Sequence, residues 1–434
     1  MLMWHKVIRI IYIGLCWLGV SGCAYYFRTP LFASIRYLAV LGAALMTVII
    51  FWLGRGYINR PALKTSYWII LLIAAPLPLL TIVYQEAVFQ YKKAVVLSTD
   101  STRLEYLSQH FIVGFRSPWQ VEEFIAQARV GGVYITQRNV ANFNTKELGN
   151  FTSWLQNLRP TSNRKLIIAT DQEGGIVSHL SPPLGELDSL ANIIAATTNK
   201  IDQQQAVADY ATKQAQDLAA VGITLNLAPV VDVVHPELQY AKDFSQINRR
   251  AISSDPKAVA TVAQTYQAAY QAVGVQTIYK HFPGLGRVTG DTHLSSPILF
   301  ATPAEMEATD LLPFLQIINQ TDAMIMLSHV IWQDLDGENP VSISPAVIHD
   351  YLRTDLKYQG LLMTDDFSMD PIVKSTEGVG LAAVQTLNAG TDIILISYDQ
   401  DLYYEVMYDL LKADTTGVLD DNQLKLSQER LQRI

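Results

Sequence analysis

The chain has 434 residues, of which 50% are hydrophobic and 17% charged, so its composition excludes intrinsic disorder and is more apolar than that of an average soluble domain. Residues 1–93 carry a net charge of +8 and residues 94–434 a net charge of −16, and this acidic balance argues against nucleic-acid binding by the larger part. Both cysteines, Cys16 and Cys23, precede residue 94, which excludes a disulfide framework or a cysteine metal site in that part.

Three uncharged runs in residues 1–93 predict three transmembrane helices, at 10–27, 37–54 and 65–85. A helix rises ~1.5 Å per residue, so about 20 apolar residues cross the hydrocarbon core of a bilayer. Each run reaches or nearly reaches that length. The alternative is a set of buried core helices. Membrane lipid is therefore the expected partner of residues 1–93.

The charges between these runs predict an orientation. The amino-terminal tail and the loop 54–64 together hold five Lys and Arg residues, whereas the loop 28–36 holds two. Because cytoplasmic loops are enriched in Lys and Arg, three crossings are expected to place residues 94–434 on the periplasmic or extracellular side of a bacterial cell membrane. The run Val20-Ser21-Gly22-Cys23 also resembles a lipoprotein cleavage box, so lipidation of Cys23 is an alternative anchor.

Residues 94–434 predict one α/β domain. Eight short apolar runs alternate with amphipathic segments, which predicts a (β/α)8 barrel, with a doubly wound open sheet as the structural rival. The predicted strands are 110–114, 132–136, 165–170, 222–228, 275–280, 323–328, 360–364 and 392–397. The predicted helices are 118–128, 203–221, 256–273, 302–319, 345–356 and 379–388.

Polar segments follow the carboxyl ends of several predicted strands, where barrel enzymes place their catalytic groups. Walker, His-Glu-x-x-His and Gly-x-Ser-x-Gly motifs are absent from the sequence, and no cofactor or metal is expected. The abundant carboxylates instead favour chemistry on a neutral, hydroxyl-rich substrate. The segments are DQEGG at 171–175, NLAPVVDV at 226–233, KHFPGLG at 280–286, DTH at 291–293, a histidine at 329 and TDDFSM at 364–369.

This ordered set of motifs resembles glycoside hydrolase family 3, in particular its single-barrel β-N-acetylhexosaminidases. The resemblance extends over roughly residues 105–400, and the block 280–293 is its most specific part. It implies a retaining exo-β-N-acetylhexosaminidase that acts on terminal β-linked N-acetylglucosamine of peptidoglycan fragments or related glycans. Two alternatives stay open: a β-glucosidase-like exo-glycosidase, and a membrane-anchored glycan-binding protein without catalytic activity.

The resemblance also implies roles for individual residues. Asp365 would be the nucleophile, His293 the general acid and then base, and Asp291 the group that holds the His293 imidazole. The implied substrate-binding residues are Asp171, Arg250, Lys280, His281 and His179.

Two positions depart from the family pattern. Leu285 stands where the family usually has His, and His179 where it usually has Arg. Since that arginine contacts the sugar in the family, His179 is expected to be a weaker substitute. The sequence therefore favours an active enzyme with altered substrate preference over an inactive relative.

Overall fold

The computed structural model describes residues 2–55, 74–159, 164–197, 199–238, 245–320, 323–375 and 377–434. It divides into two compact units, Met1–Val95 and Val96–Ile434. The sequence predicted a division between residues 93 and 94. The two units are described separately.

The amino-terminal unit is helical. Predicted runs 10–27 and 37–54 fall mainly within its first two helices, whereas residues 65–73 of the third run lie outside the described residues. Across the described part of the chain, no helix combines the length and the apolar character needed to cross a membrane, so the three predicted spans are not supported. The helices are α1 (Leu2–Tyr25), α2 (Arg36–Arg55) and α3 (Leu77–Ser98), with a short 3-10 turn at Pro30–Phe32.

The helices of this unit have a small interior and an apolar exterior. Val20, Phe27 and Ile82 belong to a buried cluster. Outside it, the side chains of Leu15 and Leu41 are 63% and 67% exposed. Apolar side chains therefore form much of the outer surface of α1 and α2.

The larger unit is a closed barrel of eight parallel strands, which confirms the predicted (β/α)8 architecture and excludes the open sheet. Each strand pairs with its neighbour in the chain, and β1 pairs with β8 to complete the ring. Most strand residues are buried, which explains why the strands appear in the sequence as continuous apolar runs. The strands are β1 (Phe111–Gly114), β2 (Gly132–Tyr134), β3 (Ile167–Thr170), β4 (Leu225–Asn226), β5 (Gln276–Phe282), β6 (Met324–Leu327), β7 (Leu361–Asp366) and β8 (Ile393–Ile396).

Helices and short ribbons connect the barrel strands. Among the described residues, two two-stranded ribbons lie outside the barrel: Gln172–Gly174 with Val177–Ser178, and Ile298–Leu299 with Ile331–Trp332. The helices are α4 (Ser101–Ser108), α5 (Pro118–Glu122, followed by a π-helical turn at Glu123–Gln127), α6 (Gln137–Val140), α7 (Thr145–Leu158), α8 (Leu190–Ala195), α9 (Lys200–Ala220), α10 (Ile247–Arg250), α11 (Pro256–Gln271), α12 (Pro303–Ala308), α13 (Leu312–Leu315), a 3-10 turn (Val341–Ile343), a π-helix (Ala346–Asp355), α14 (Asp370–Val373), α15 (Gly378–Ala389), α16 (Leu402–Thr415) and α17 (Asp421–Leu431).

The prediction of one continuous helix over residues 302–319 is wrong. The segment 302–319 forms two short helices, α12 and α13, instead of one. Pro313 explains the break, because a proline has no amide hydrogen and its ring clashes with the carbonyl four residues earlier in a helix.

The barrel interior is an apolar cluster with members from every strand. Ile112, Ile278 and Met363 are examples, and Leu431 of α17 packs into the same cluster. The interior is therefore a packed core, and polar groups collect beyond the carboxyl ends of the strands, as in other barrels of this kind.

Candidate active site

A cavity of about 370 Å³ lies at the carboxyl ends of the barrel strands. The structure brings the predicted site residues together there. Asp291 is outside the lining but contacts His293, which is part of it. The predicted residues that line the cavity are Asp171, His179, Arg250, Lys280, His281, His293 and Asp365.

Four charged side chains form one ionic network in the cavity, which we call the polar wall: Asp171, Glu173, Arg250 and Lys280. The Nζ of Lys280 lies 2.5 Å from Oδ1 of Asp171 and 2.6 Å from Oε1 of Glu173. Arg250 donates to both Glu173 oxygens, from Nε at 3.0 Å and from Nη2 at 2.7 Å. Two cations thus face two carboxylates, and the wall offers donors and acceptors to sugar hydroxyls.

The wall fixes the charge states of its members. Burial raises the pKa of Glu173, but Arg250 and Lys280 outweigh burial and lower it to about 2. Burial likewise lowers the pKa of Lys280, but Asp171 and Glu173 outweigh it and raise that pKa above its ordinary value. Glu173 and Lys280 are therefore charged at neutral pH.

The ribbon after β3 positions Asp171 and Glu173. Gly174 has a φ of +92°, and a Cβ there would overlap the Tyr210 hydroxyl and the Asp188 carbonyl, so the turn requires glycine. The Tyr210 hydroxyl donates to the main-chain oxygen of Glu173 at 3.1 Å. Glu173 was not among the predicted site residues, although its place two residues after Asp171 in DQEGG was a signal for it.

His281 is oriented by a buried carboxylate. Its Nδ1 lies 2.7 Å from Oδ2 of Asp232, whose other oxygen accepts from the Leu285 amide at 2.6 Å. His281 and Lys280 are joined by a cis peptide bond, and both line the cavity. Asp232 therefore holds both the His281 imidazole and the turn that follows β5.

The two aspartates at the end of β7 have different surroundings. The carboxylate of Asp366 accepts hydrogen bonds from the Ser368 amide, from the amide and hydroxyl of Ser397 and from the Tyr398 amide. These hydrogen bonds indicate that Asp366 holds together the segments that follow β7 and β8. Asp365 is the member of the pair that the sequence predicted as the nucleophile.

Three imidazoles and the Asp366 amide, which donates to Oδ1 of Asp365 at 2.8 Å, favour the ionised form of Asp365. Burial raises the pKa of Asp365, but the nearby His281, His329 and His293 outweigh burial and lower that pKa below its ordinary value. Of the three, His329 was not predicted as a site residue. Its ring is fixed by Oγ of Ser342 at 2.7 Å and by the main-chain oxygen of Asp366 at 3.0 Å.

His293 and Asp291 form a hydrogen-bonded pair on the loop after β5. Nδ1 of His293 lies 2.8 Å from Oδ1 of Asp291, which also accepts the His293 amide at 2.9 Å. The His293 side chain is 45% exposed and the Asp291 side chain 10%. The amide of Asp370 donates to the His293 carbonyl at 3.2 Å, which connects this loop to the segment after β7. The imidazole therefore lies at the entrance of the cavity.

The positions that depart from the family pattern also lie in the cavity. The ring of Tyr134 meets the His179 ring edge-on, with 6.1 Å between centroids, and the Tyr134 hydroxyl donates to Asp171. Burial lowers the pKa of His179, so its ring is neutral at pH 7. Leu285 is buried in the lining. The two positions thus contribute a neutral imidazole and an apolar side chain to the cavity.

Comparison with known proteins gives relatives along most of the chain. Residues 103–434 match the family described as glycosyl hydrolase family 3 N terminal domain. The β-hexosaminidase of Stenotrophomonas maltophilia (strain R551-3) is 31% identical over 290 residues, which cover 67% of this chain and 82% of that relative. The β-hexosaminidase of Idiomarina loihiensis is 30% identical over 324 residues, which cover 74% of this chain and 89% of that relative.

Solved structures show the same likeness. A glycoside hydrolase family 3 β-N-acetylglucosaminidase from Paenibacillus sp. str. FPU-7 has a TM-score of 0.67 and 28% identity, with 76% of this chain and 62% of that chain covered. The β-N-acetylhexosaminidase from Beutenbergia cavernae has a TM-score of 0.63 and 27% identity, with 77% and 98% covered. The family match, the barrel and the cavity agree, and the chain belongs to glycoside hydrolase family 3.

Proposed function

We propose that this protein is a retaining exo-β-N-acetylhexosaminidase that removes terminal β-linked N-acetylglucosamine from peptidoglycan fragments or related glycans. The observation that carries the proposal is that one cavity is lined by a half-buried, ionised Asp365, by His293, which is paired with Asp291, and by the polar wall. The β-hexosaminidase names of the relatives support the same activity.

In the first step, Asp365 attacks the anomeric carbon of the terminal sugar and forms a glycosyl ester. The bond to the leaving oxygen breaks, and His293 protonates that oxygen. Because Asp291 engages Nδ1 of His293, Nε2 is the nitrogen that carries the transferred proton. The carboxylate of Asp291 also stabilises the charged imidazole that accompanies the reaction.

In the second step, water replaces the departed aglycone. His293, now neutral, takes a proton from the water, whose oxygen attacks the anomeric carbon and releases Asp365. Two displacements at one carbon retain the β configuration. The product is free N-acetylglucosamine, and no group besides water is consumed.

The polar wall binds the sugar that is released. Sugar hydroxyl groups can accept hydrogen bonds from Lys280 and Arg250 and donate hydrogen bonds to Asp171 and Glu173. The ion pairs between these four side chains also hold each of them in position. Because these side chains are already ordered, they lose little conformational entropy when the substrate binds.

The direct test is hydrolysis of an aryl N-acetyl-β-glucosaminide by the full chain. Asp365→Asn is expected to lower kcat by about 10³-fold or more while the protein stays folded. The matched control is Asp350→Asn, because the Asp350 side chain is 71% exposed and contacts only His349 among the ion pairs of the described residues. A folded wild-type protein that hydrolyses no aryl β-hexosaminide would support the non-catalytic alternative.

A β-glucosidase-like activity is the second candidate, because His179 and Leu285 stand where the family usually has Arg and His. The ratio of kcat/KM for the N-acetylglucosaminide to that for the matching glucoside decides between the two. A ratio above one supports the hexosaminidase, and a ratio below one supports the glucosidase.

For localisation, we propose that residues 1–93 associate with membrane lipid and that the barrel faces the periplasmic or extracellular side of a bacterial cell membrane. The net charge of +8 in this segment and its exposed apolar side chains, such as Leu15 and Leu41, support the association. The test is a reporter phosphatase of a kind that is active only outside the cytoplasm, fused after Ile434. This reporter is expected to be active. An inactive but intact fusion would place the barrel inside.

A further inference from the structure

The ribbon residue Gln172 lies between two members of the polar wall, Asp171 and Glu173, and one buried side chain holds its main chain. The Gln172 amide donates to Oδ1 of Asn226 at 2.9 Å, and Nδ2 of Asn226 donates to the Gln172 carbonyl at 3.0 Å. Asn226 ends β4 and is fully buried. Its side-chain amide therefore fixes both peptide groups that connect Gln172 to the carboxylate residues of the wall.

Asn226 is in turn held by two tyrosines of α11 and a glutamine of α9. Nδ2 of Asn226 lies 3.0 Å from the Tyr266 hydroxyl and 2.9 Å from the Tyr270 hydroxyl, and these two hydroxyls lie 2.8 Å apart. Oε1 of Gln214 accepts from Tyr266 at 2.5 Å and from Tyr270 at 2.8 Å. Tyr266, Tyr270 and Gln214 are all buried, so water does not compete for these hydrogen bonds.

The hydrogen bonds then return to the same ribbon. Nε2 of Gln214 donates to the Tyr210 hydroxyl at 3.3 Å, and this hydroxyl donates to the Glu173 carbonyl at 3.1 Å. Five buried side chains thus connect the main chain of Gln172 to that of Glu173 through the protein interior. We call them the buried network: Asn226, Tyr266, Tyr270, Gln214 and Tyr210.

The donors and acceptors of the buried network allow one orientation. The Gln172 amide can only donate, so Oδ1 of Asn226 faces it, and the Asn226 amino group faces the carbonyl and the tyrosine hydroxyls. Hydroxyls that accept from Asn226 keep their own protons for Oε1 of Gln214. Removal of the Tyr266 or Tyr270 hydroxyl therefore takes a partner from both amide side chains at once.

The buried network lies behind the cavity and is not part of its surface. Within the described residues, the cavity lining includes Asp171 and Glu173 but none of the five side chains of the network. The network can therefore affect a bound sugar only through the ribbon. A hydrogen bond weakens steeply when its distance or angle departs from the ideal, so a small shift of the ribbon weakens the contacts of the wall with sugar hydroxyls.

We infer that the buried network positions Asp171 and Glu173 for the recognition of sugar hydroxyls, so that Asn226, Tyr266 and Tyr270 are positioning residues for the reaction. The inference rests on the proposed function and deepens it. The degree to which the enzyme distinguishes a sugar hydroxyl from its absence depends on side chains outside the cavity.

The experiment compares 4-nitrophenyl N-acetyl-β-glucosaminide, the parent substrate, with its 3-deoxy, 4-deoxy and 6-deoxy analogues, each of which lacks one sugar hydroxyl. The readout is kcat/KM, measured with the full chain. In the wild type, at least one analogue is expected to react about 30-fold more slowly than the parent, the scale of a hydrogen bond to a charged group. That analogue has lost a hydroxyl that the wall binds.

Tyr270→Phe and Tyr266→Phe are each expected to lower kcat/KM about fivefold for the parent substrate, mainly through KM, but by no more than about twofold for that analogue. Asn226→Ala is expected to lower it by about 10²-fold for the parent, again with a much smaller loss for the analogue. Loss of folded protein would lower both values by the same factor, so the difference between the two substrates identifies positioning. The tyrosine variants decide the matter if Asn226→Ala does not fold.

Tyr403→Phe is the matched control. Tyr403 is also buried, and its hydroxyl contacts the Ser108 hydroxyl at 2.9 Å and the Ala128 carbonyl at 3.1 Å, both outside the cavity lining. This variant is expected to change kcat/KM by the same factor for the parent and the analogue.

Two results would overturn the inference while leaving the proposed function intact: equal losses for the parent and the analogue in both tyrosine variants, or a wild type that hydrolyses all four substrates alike. Absence of turnover of every substrate by the folded wild type would overturn the proposed function and the inference with it.

Discussion

The Nζ of Lys280 lies 2.6 Å from the carboxylate of Glu173, so a cation from β5 and an anion from the ribbon after β3 meet inside the cavity. The same carboxylate also receives Arg250. Glu173 is thereby the central anion of the polar wall, and its replacement is the sharpest test of the wall.

Glu173→Gln is expected to lower kcat/KM by about 10²-fold, mainly through KM, because Lys280 and Arg250 lose their shared counter-charge and are free to reorient. Steady-state kinetics on an aryl N-acetyl-β-glucosaminide provides the measurement. Glu186→Gln is the control, because Glu186 is exposed. If both variants keep the wild-type kcat/KM, the wall does not bind substrate.

His293→Ala should make the rate depend on the leaving group. Without an acid, substrates with poor leaving groups are expected to lose about 10³-fold in kcat/KM, whereas a dinitrophenyl glycoside, which departs without a proton, loses far less in that parameter. A series of aryl glycosides measures the dependence. Equal losses across the series would exclude His293 as the acid. Asp291→Asn should show the same trend more weakly, since it keeps the imidazole.

Gly286→Ala is expected to disturb the loop that carries Asp291 and His293. A Cβ at position 286 would overlap the main-chain oxygen of Val233, so the loop must move or the variant loses about 1–3 kcal/mol of stability. Activity and melting temperature are both expected to fall. Gly185→Ala is the control, because the space around Gly185 is open within 4 Å. A Gly286→Ala variant with wild-type activity would show that the loop is not anchored there.

Because His110 is buried, we expect the free energy of unfolding to decrease in mild acid. Burial lowers its pKa from 6.5 to about 4, although its contact with Asp392 opposes that shift. The unfolded chain therefore binds a proton below pH 6.5 that the folded chain excludes until about pH 4, and stability falls as pH decreases through this window. Between pH 7 and pH 5 the expected loss is about 2 kcal/mol.

Urea unfolding of the full chain at the two pH values measures this effect. In His110→Asn the difference between the two pH values should shrink by about the same 2 kcal/mol. An unchanged difference in this variant would assign the acid sensitivity to other groups.

The sequence predicted the barrel and most residues of the cavity because both depend on local patterns, namely short apolar runs and the polar segments next to them. Asp171 directly follows β3, and Lys280 and Asp365 lie within the last three residues of β5 and β7, so strand position alone brings them to one end of the barrel. The family match over residues 103–434 agrees with the family that these motifs resemble.

Features that depend on distant packing were missed. Glu173 acquires its importance from Arg250 and Lys280, which are separated from it in the chain and reach it only after the barrel closes. His329 follows a predicted strand, but the sequence predicts no role for it, because its position beside Asp365 depends on the packing of two strands. In residues 1–93, hydropathy alone predicted spans that the described helices do not support.

The central claim is that Asp365 forms a covalent bond to the sugar, and trapping that bond tests it most directly. In His293→Ala, a dinitrophenyl N-acetyl-β-glucosaminide should glycosylate the enzyme without acid help, whereas hydrolysis of the ester lacks its base, so the glycosyl-enzyme accumulates. Intact-mass measurement followed by peptide mapping is expected to find one N-acetylhexosaminyl residue on Asp365. An adduct on a different side chain, or substrate turnover in His293→Ala,Asp365→Asn equal to that in His293→Ala, would contradict the account.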